Sequence, residues 1–119
     1  MLGIDLIEIK RIKRLIKNKS FLNRVFSKEE ISYCEKKVNK HEHYAARFAA
    51  KEAVWKSLAG EYKIALKNIV VQNINNGKPV VKLKSIKVKK LKRLKIEVSL
   101  SHTKDYAVAV AMVKSGSME

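Results

Sequence analysis

The sequence predicts an α+β domain in which a largely antiparallel sheet packs against one long helix and one or two shorter helices. After a short N-terminal strand, apolar residues recur at helical spacing up to residue 59, whereas alternating apolar patterns dominate from residue 69 onwards. Helices and strands that occupy separate parts of a chain are typical of this class. With 119 residues, one proline and four glycines, residues 1–119 form one ordered domain, of which about 115–119 should fray.

The N-terminal quarter is predicted to contain a strand and two helical segments. Residues 2–6 form the strand, which has a glycine inside it. Residues 8–19 change to the helical period, and residues 20–24 form a separate turn. Ser27 and Glu30 have the spacing of a capping box, which predicts a helix from there to about residue 38.

The longest helical pattern covers residues 41–59 and is ended by Gly60. Its core stripe consists of Tyr44, Phe48, Trp55 and Leu58. The stripe beside it consists of Ala45, Ala49, Glu52 and Lys56. The alanines allow another backbone to come close, and a carboxylate such as Glu52 in those surroundings requires a partner.

The second half of the chain is predicted to supply the remaining strands, which cover residues 69–74, 79–83, 94–100 and 106–113. The Asn76-Gly77 pair between the first two is favoured in hairpin turns. A polar turn at 101–105 joins the last two strands. Residues 84–93 fit either a helix or a basic loop.

The charge distribution indicates a polyanionic partner. The formal net charge is +16, and residues 10–24 and 82–95 contain many basic side chains and no acid. Such charge fits nucleic acid, anionic lipid, a phosphorylated cofactor or an acidic protein. For residues 82–95, a lysine-rich solvated surface is an equally good explanation.

The composition favours the cytoplasm. Cys34 is the one cysteine of the chain, so no internal disulfide can form, and no CxxC motif is present. The first residues place apolar side chains before the charges, which is the reverse of a secretory signal. The longest apolar run, residues 106–113, is too short to span a membrane. No membrane partner is therefore expected.

Two acidic residues are candidate metal ligands. Asp5 interrupts an apolar strand, and Glu52 lies on the alanine-lined stripe. One interpretation is two buried ion pairs, Asp5 with an arginine and Glu52 with Arg47 or Lys56. The other is a shared Mg²⁺, which proteins usually hold with one or two carboxylates plus phosphates and waters. The remaining acids are interpreted as peripheral, among them Glu29, Glu30, Glu35, Glu61 and Glu119.

Two further positions suit phosphate. Lys56 lies one turn after Glu52 on the same side, which fits either an ordinary ion pair or a diphosphate bridged by Mg²⁺. Residues 99–105 place three hydroxyls, an imidazole and a lysine in one turn, and these groups suit an anion. A Ser-His-Asp hydrolase fits poorly because no GxSxG motif is present. His41 and His43 diverge and are interpreted as surface residues.

Five segments of the chain form an ordered set of motifs. They are LGIDLIEI at 2–9, VFSKEEI at 25–31, RFAAKEAVWK at 47–56, NGKPVV at 76–81 and SLSHTKDYAVAVA at 99–111. Together they resemble the holo-acyl-carrier-protein synthases, the short trimeric class of 4′-phosphopantetheinyl transferases. The third segment is similar to the family signature F-x-x-K-E-A-x-x-K and is the most specific. The set spans nearly the whole chain.

The resemblance implies a 4′-phosphopantetheinyl transferase-like fold that forms a homotrimer with active sites between subunits. A 119-residue chain would gain a deep cleft by sharing a wall with a neighbour. The implied reaction transfers the phosphopantetheine arm of coenzyme A to a serine of apo acyl carrier protein, releases adenosine 3′,5′-bisphosphate and serves fatty acid biosynthesis. The implied cofactor is Mg²⁺, and the implied partners are coenzyme A and the acyl carrier protein.

The resemblance also implies residue roles. Asp5 and Glu52 correspond to the metal ligands, and Glu52 and Lys56 to catalytic residues, with Lys56 at the coenzyme A diphosphate. Further contacts with coenzyme A are implied for Gly60, Ser101, His102 and Thr103, and Arg47 and Lys51 either contact phosphates or brace the site. The surface for the acidic carrier protein is implied to contain Arg11, Arg14, Lys17, Phe21 and Arg24.

Several alternatives stay open at the level of sequence. The base that accepts the serine proton is either Glu52 or a metal-bound water. Only Gly60 follows the signature helix, where family members usually carry several glycines for contacts with phosphate. A small basic RNA-binding module and a non-catalytic assembly subunit are the competing functions. The predicted strands lack exposed aromatics that stack on bases, so nucleic acid is not the expected partner.

Overall fold

The computed structural model of the protein describes residues 1–58, 61–73, 77–84 and 89–115. Strands and helices follow the order β1, α1–α4, β2, β3, α5, β4, β5. Their bounds are β1 Leu2–Glu8, α1 Ile9–Leu15, α2 Lys19–Val25, α3 Lys28–Glu35, α4 Lys40–Leu58, β2 Ile69–Asn73, β3 Pro79–Leu83, α5 Lys89–Lys92, β4 Lys95–His102 and β5 Tyr106–Lys114. The predicted α+β class with antiparallel strands is confirmed.

The described strands form two separate antiparallel sheets. β5 lies between β1 and β4 in a three-stranded sheet, and β2 pairs with β3 in a two-stranded one. In the larger sheet Asp5 lies opposite Ala109. Side chains of a strand alternate between its two faces, and along β1 exposed side chains alternate with more buried ones. Gly3, Asp5 and Ile7 therefore face α4.

α4 packs across the three-stranded sheet, and small residues permit the close contact. A Cβ atom built on Gly3 would lie 1.9 Å from the backbone oxygen of Ala53, which is far inside van der Waals distance. Alanines on the buried sides of α4 and β5 have the same spacing effect. A larger residue at position 3 would push β1 away from α4 and move Asp5 with it.

The opposite face of this sheet is apolar and exposed. Leu2, Ile4 and Leu6 of β1 are 73%, 61% and 63% exposed, and Val110 lies opposite Ile4 on the central strand. Among the described residues, no helix has the length and apolar character needed to cross a membrane.

The first helices differ from their predicted bounds. β1 continues to Glu8, and α1 already ends at Leu15. Asn18 then starts a new helix, because its Oδ1 accepts a hydrogen bond from Phe21 N at 3.2 Å. The predicted turn at 20–24 is thus wrong, and these residues belong to α2. Asn18 lies just before the predicted end of the helix over 8–19, and as an N-cap it starts the helix that replaces the predicted turn.

The capping box at α3 is confirmed. Ser27 N donates to Glu30 Oε1 at 2.8 Å, and Glu30 N donates to Ser27 Oγ at 3.2 Å.

In α4 the predicted core stripe is wrong for Trp55, which is 42% exposed although Tyr44, three turns earlier on the same side, is fully buried. Tyr44 is covered by α3, where its hydroxyl donates to Glu35 at 2.7 Å. The apolar period of α4 predicts which side of the helix is buried, but it does not predict how far along the helix other elements cover that side.

The predicted hairpin is confirmed, with Asn73 opposite Pro79 and Gly77 at φ +81° in the turn. Residues 74–76 of that turn lie outside the described residues, as do 85–88 of the segment that fitted a helix or a loop. The short α5 occupies the described end of that segment. β4 runs to His102, so the polar turn is shorter than predicted.

Candidate active site

Asp5 and Lys56 form an ion pair where β1 meets the last turns of α4. Lys56 Nζ donates to Asp5 Oδ1 at 2.9 Å and to the Ile4 oxygen at 3.3 Å. Asp5 Oδ2 is buried and has no hydrogen-bond partner within the described part of the chain. The hydrogen bond to Asp5 raises the pKa of Lys56. The partner of Asp5 is therefore a lysine and not the arginine of the ion-pair interpretation.

Glu52 lies one turn before Lys56 and near Asp5. Burial raises the pKa of the Glu52 carboxyl, and the charge of Asp5 raises it further. The charges of Lys56 and Arg11 act in the opposite direction. Two carboxylates therefore share a partly desolvated place in which their repulsion is incompletely balanced. Asp5, Glu52 and Lys56 are called the carboxylate site below.

The carboxylate site fits a hard divalent cation such as Mg²⁺. A cation would satisfy the unpartnered oxygen of Asp5 and relieve the repulsion that Glu52 experiences. Within the described ranges, no three His, Cys, Asp or Glu side chains come together as a metal-ligand group. Two carboxylates suit Mg²⁺, which keeps waters and substrate phosphates as its other ligands, but they are too few for a typical zinc site.

Arg47 lies in a second place, against the β2–β3 hairpin. Its Nη2 donates to Asn73 Oδ1, and its guanidinium stacks 4.0 Å from the centre of the Tyr33 ring. Arg47 is buried, and its Nε has no partner among the described residues. A cavity of about 270 Å³ opens here, lined by Glu29, Tyr33, Arg47, Val71, Gln72 and Asn73. A guanidinium with an unused donor at a cavity wall suits an anion.

His102 is on the face of β4 that points toward α4, because it alternates with Ser101 as Leu100 does. Burial lowers the pKa of His43, and the charges of Arg47 and, among smaller effects, His102 lower it further. The His43 ring packs edge-on against Tyr33 with 5.7 Å between ring centres, and it is half-buried rather than a free surface residue. Arg47, Tyr33, Asn73 and His102 are called the arginine site below.

The turn after β4 is fixed by Thr103. Its Oγ1 accepts hydrogen bonds from the backbone N of Asp105 at 3.2 Å and of Tyr106 at 3.1 Å. The hydroxyl keeps its proton free to donate, and the side chain is exposed. Ser101 is exposed on the sheet face that points away from α4. Gly60 lies outside the described residues.

Of the two roles implied for Lys51, its position in the fold favours the brace over the phosphate contact. Its side chain is fully buried, and its Nζ lies 2.6 Å from Glu30 Oε1. Glu30, interpreted from sequence as a peripheral acid, is equally buried. Within the subunit Lys51 therefore braces the fold instead of facing a ligand. A lysine on an alanine-rich, buried helix face requires an acidic partner, and this signal could have identified Glu30.

The two sites lie on opposite sides of α4. At about 100° per residue, Arg47 and Glu52 point about 140° apart, and Arg47 and Lys56 about 180° apart. The contacts agree, since Arg47 meets β2 whereas Lys56 meets β1. A ligand bound to a single copy of the chain cannot reach both sites directly across the helix.

The proposed partner surface is basic but only partly as expected. Arg11, Arg14 and Lys17 are exposed on or just after α1. The positive charge of Arg11 is one of those that oppose the rise in the pKa of Glu52. Arg24 is exposed on α2. Phe21 is not a free apolar anchor, because its half-buried ring packs against Phe26 and Phe48 at centre distances of 6.4 and 6.0 Å.

Several known proteins are similar to this chain in both sequence and fold. A family model described as the 4′-phosphopantetheinyl transferase superfamily matches residues 1–111. The holo-[acyl-carrier-protein] synthase of Clostridium tetani is 44% identical over 118 residues, which cover 95% of this chain and 94% of that protein.

Two solved structures are similar over almost their full length. The holo-[acyl-carrier-protein] synthase of Helicobacter pylori, in complex with coenzyme A, has a TM-score of 0.81 and 29% identity over 96% of this chain and 100% of that one. The Bacillus anthracis enzyme in complex with CoA (3′,5′-ADP) has a TM-score of 0.78 and 30% identity over 98% and 96%. Because the matched residues include the whole of α4 and both of its sites, the chain belongs to the 4′-phosphopantetheinyl transferase superfamily.

Proposed function

We propose that the protein transfers the 4′-phosphopantetheine group of coenzyme A to a serine of apo acyl carrier protein, in support of fatty acid biosynthesis. The serine Oγ forms a bond to the β-phosphorus, the bond from this phosphorus to the bridging oxygen breaks, and adenosine 3′,5′-bisphosphate leaves. The carboxylate site carries the proposal, because two carboxylates and a lysine at one point suit a diphosphate with its cation. Relatives that carry this activity in their names, including two bound to coenzyme A or its fragment, support it.

Asp5 and Glu52 would hold Mg²⁺. When bound, the ion neutralises charge on the diphosphate oxygens and on the leaving group. Lys56 is about half exposed, so its side chain has room to leave Asp5 and contact the diphosphate. The Glu52 oxygen that does not hold the cation would accept the serine proton as the new bond to phosphorus forms.

The active site is shared between two subunits of a homotrimer. Coenzyme A has a diphosphate at one place and a 3′-phosphorylated nucleotide at another, and the two matching sites of one chain point away from each other. A neighbouring copy that faces the carboxylate site with its own arginine site resolves this conflict. The exposed apolar face with Leu2, Ile4, Leu6 and Val110 supplies a surface for the contact between copies, and it adjoins Lys56 along a cavity of about 580 Å³.

The carrier protein docks on the basic surface that contains Arg11, Arg14, Lys17 and Arg24. These side chains are exposed and attract an acidic partner. Arg11 connects the docking surface to the carboxylate site, so the carrier serine reaches the metal from this side. The buried, unpaired Cys34 is compatible with a reducing cytoplasm as the place of the reaction.

The direct test is the intact mass of an apo carrier protein after incubation with this protein, coenzyme A and Mg²⁺. We expect the mass to increase by one phosphopantetheine group, and only when all components are present. Retention of RNA without any change in carrier mass would favour the nucleic-acid-binding alternative and overturn the proposal.

The shared site has its own test, which mixes two variants at a coenzyme A concentration far below the raised KM of the second, where neither variant is active alone. Glu52→Ala lacks the carboxylate site, and Arg47→Ala/His102→Ala lacks the arginine site. If each site combines two subunits, random mixed trimers regain about a quarter of wild-type activity, because one of four neighbour pairs is intact on both sides. Mixtures that remain inactive after subunit exchange would contradict a shared site.

A further inference from the structure

A fully buried ion pair joins three elements of the fold away from the carboxylate site. Lys51 Nζ lies 2.6 Å from Glu30 Oε1, and neither side chain is exposed. Glu30 also accepts hydrogen bonds from Ser27 N and Val71 N, both at 2.8 Å. Lys51 donates a second hydrogen bond to the Ile69 oxygen at 2.6 Å. The pair links the start of α3, the middle of α4 and strand β2.

Both contacts with β2 fall on one edge of that strand. Among the described strands, β2 pairs with β3 alone. In an extended strand the backbone groups of residues i and i+2 point to the same side, so the Ile69 oxygen and Val71 N face the same edge. Glu30 supplies the acceptor, and Lys51 the donor, that a neighbouring strand would supply. Two side chains thus satisfy an otherwise unpaired sheet edge.

This edge leads to the arginine site. Asn73 follows Val71 by two residues, its Oδ1 accepts from Arg47, and its Nδ2 donates to the Gly77 oxygen at 2.9 Å. Arg47 precedes Lys51 by one turn, so both side chains lie on the same side of α4. Lys51 therefore holds the start of β2 at Ile69, and Arg47 holds its end at Asn73. A shift of β2 along α4 would separate Asn73 from Arg47 and open the cavity between them.

Stability alone does not explain an ion pair at this place. Desolvation offsets most of the attraction in a buried pair, and apolar residues of the same volume are often equally stable or more so. Directional hydrogen bonds additionally fix one register of the strand against the helices, which apolar contacts do not. A two-stranded hairpin is only marginally stable by itself, so its placement depends on such contacts.

We propose that Glu30 and Lys51 are positioning residues for coenzyme A, because their buried pair fixes the β2 edge on α4 and thereby sets the arginine site. The inference rests on the proposed function, since it assigns the nucleotide end of coenzyme A to Arg47 and the hairpin. Neither residue contacts the ligand itself. The consequence is that the pair controls the affinity for coenzyme A and not the chemical step.

The test compares two single variants with the double variant in the full-length protein. Glu30→Gln keeps the shape and the capping box, Lys51→Met keeps the length of the side chain, and the double variant has no buried charge at this place. Each single variant should melt earlier and raise the KM for coenzyme A by about tenfold. The double variant should regain most of the melting temperature because it is neutral, yet keep the raised KM because the Ile69 oxygen has no donor.

Two readouts separate positioning from a merely structural role. The kcat at saturating coenzyme A and the KM for the carrier protein should stay within about twofold of wild type in the double variant. Glu35→Gln is the matched control, because Glu35 lies on the same helix and binds Tyr44 and Lys40 but makes no hydrogen bond with β2. It should leave the KM for coenzyme A unchanged.

The outcomes distinguish this inference from the proposed function. Absence of transfer by the wild type overturns the proposed function. Transfer by the wild type, together with a double variant whose KM recovers along with its melting temperature, overturns the positioning role alone. A double variant that does not fold also overturns it, because the pair then serves folding and has no separable effect on binding.

Discussion

Lys56 Nζ lies 2.9 Å from one oxygen of Asp5, and the other oxygen of this carboxylate is buried without a partner among the described residues. The lysine thus satisfies only half of Asp5. Because Glu52 adds a second negative charge nearby, a divalent cation would stabilise this arrangement more than the lysine does alone. In the proposed reaction, Lys56 and such a cation would contact the same diphosphate from neighbouring positions.

The first prediction concerns both carboxylates. Asp5→Ala and Glu52→Ala should each lower the rate of transfer by about a hundredfold or more, because each removes stabilisation of the charge that develops in the transition state. The measurement is the rate of carrier modification by intact mass. Size-exclusion chromatography should give the same oligomer as for the wild type.

Glu42→Ala is the matched control for this prediction. Glu42 is on the same helix and accepts a hydrogen bond from Asn39 at 2.8 Å, far along α4 from the carboxylate site. Its loss should leave the rate close to that of the wild type. An Asp5 or Glu52 variant that retains most of its activity would rule out the metal assignment.

The second prediction concerns pH and the stability of the metal-free protein. Since burial and Asp5 raise the pKa of Glu52 above 4.5, the native state binds this proton more tightly than the unfolded chain does. The ionised group therefore destabilises the fold as the pH rises from about 4.5 through the raised pKa. Glu52→Gln should melt a few degrees higher than the wild type at pH 7, and this difference should disappear at about pH 4.

Thermal melting with and without ligands checks this prediction. Mg²⁺ with coenzyme A should raise the melting temperature of the wild type through ligand binding, and should do so much less for Glu52→Gln. A variant that is less stable than the wild type at pH 7 would mean that Glu52 is already compensated without a cation.

The fold follows from the sequence wherever one local signal decides the element. The Ser27–Glu30 capping box specifies the start of α3 by its own chemistry, and it is confirmed. The turn signal around Gly77 predicted the hairpin, whose strand pairing is also confirmed. Asn18 also has an N-cap residue type, but the prediction rested on the apolar period of residues 8–19 and did not use this signal. Trp55 has the period of a core residue, but its exposure depends on which other elements cover that part of α4, and no local signal contains this information.

The site follows from the sequence less completely, because its geometry comes from tertiary contacts. The α4 residues could be grouped by helical period, and Asp5 was distinguished by its apolar neighbours. Glu30 was missed because a glutamate at the third position of a helix already has a local explanation as a cap. Its second role depends on Lys51 and Val71, which are 21 and 41 residues away. No local pattern contains such distant pairings.

The third prediction concerns His102. We assign it with Arg47 to the nucleotide end of coenzyme A, whereas the phosphorus under attack belongs to the diphosphate that the carboxylate site would bind. His102→Ala should raise the KM for coenzyme A with little change in kcat, as expected when binding of the ground state and the transition state is lost equally. Steady-state kinetics with coenzyme A varied would measure this. A large fall in kcat at unchanged KM would instead assign His102 to the chemical step.

The last prediction concerns the basic helix α1. Arg14 and Lys17, on and just after α1, are exposed, whereas Ile12 of the same helix is fully buried, so the charges must face outward together. Attraction to an acidic carrier speeds encounter and orients docking without taking part in the phosphorus chemistry. Arg14→Glu/Lys17→Glu should raise the KM for the carrier protein by at least about tenfold and leave the KM for coenzyme A near the wild-type value.

Salt and a charge-matched control decide whether this effect is local. At 0.1 M salt, the attraction between exposed charges is largely screened beyond about 10 Å. The wild-type KM for the carrier protein should therefore rise with ionic strength, and this dependence should be weaker for the double reversal. Lys67→Glu/Lys92→Glu changes the net charge equally at other exposed positions and should have a much smaller effect. If both double variants behave alike, net charge alone drives the association. If the α1 reversal abolishes retention on an RNA column but leaves the carrier KM unchanged, the helix binds nucleic acid and not the carrier protein.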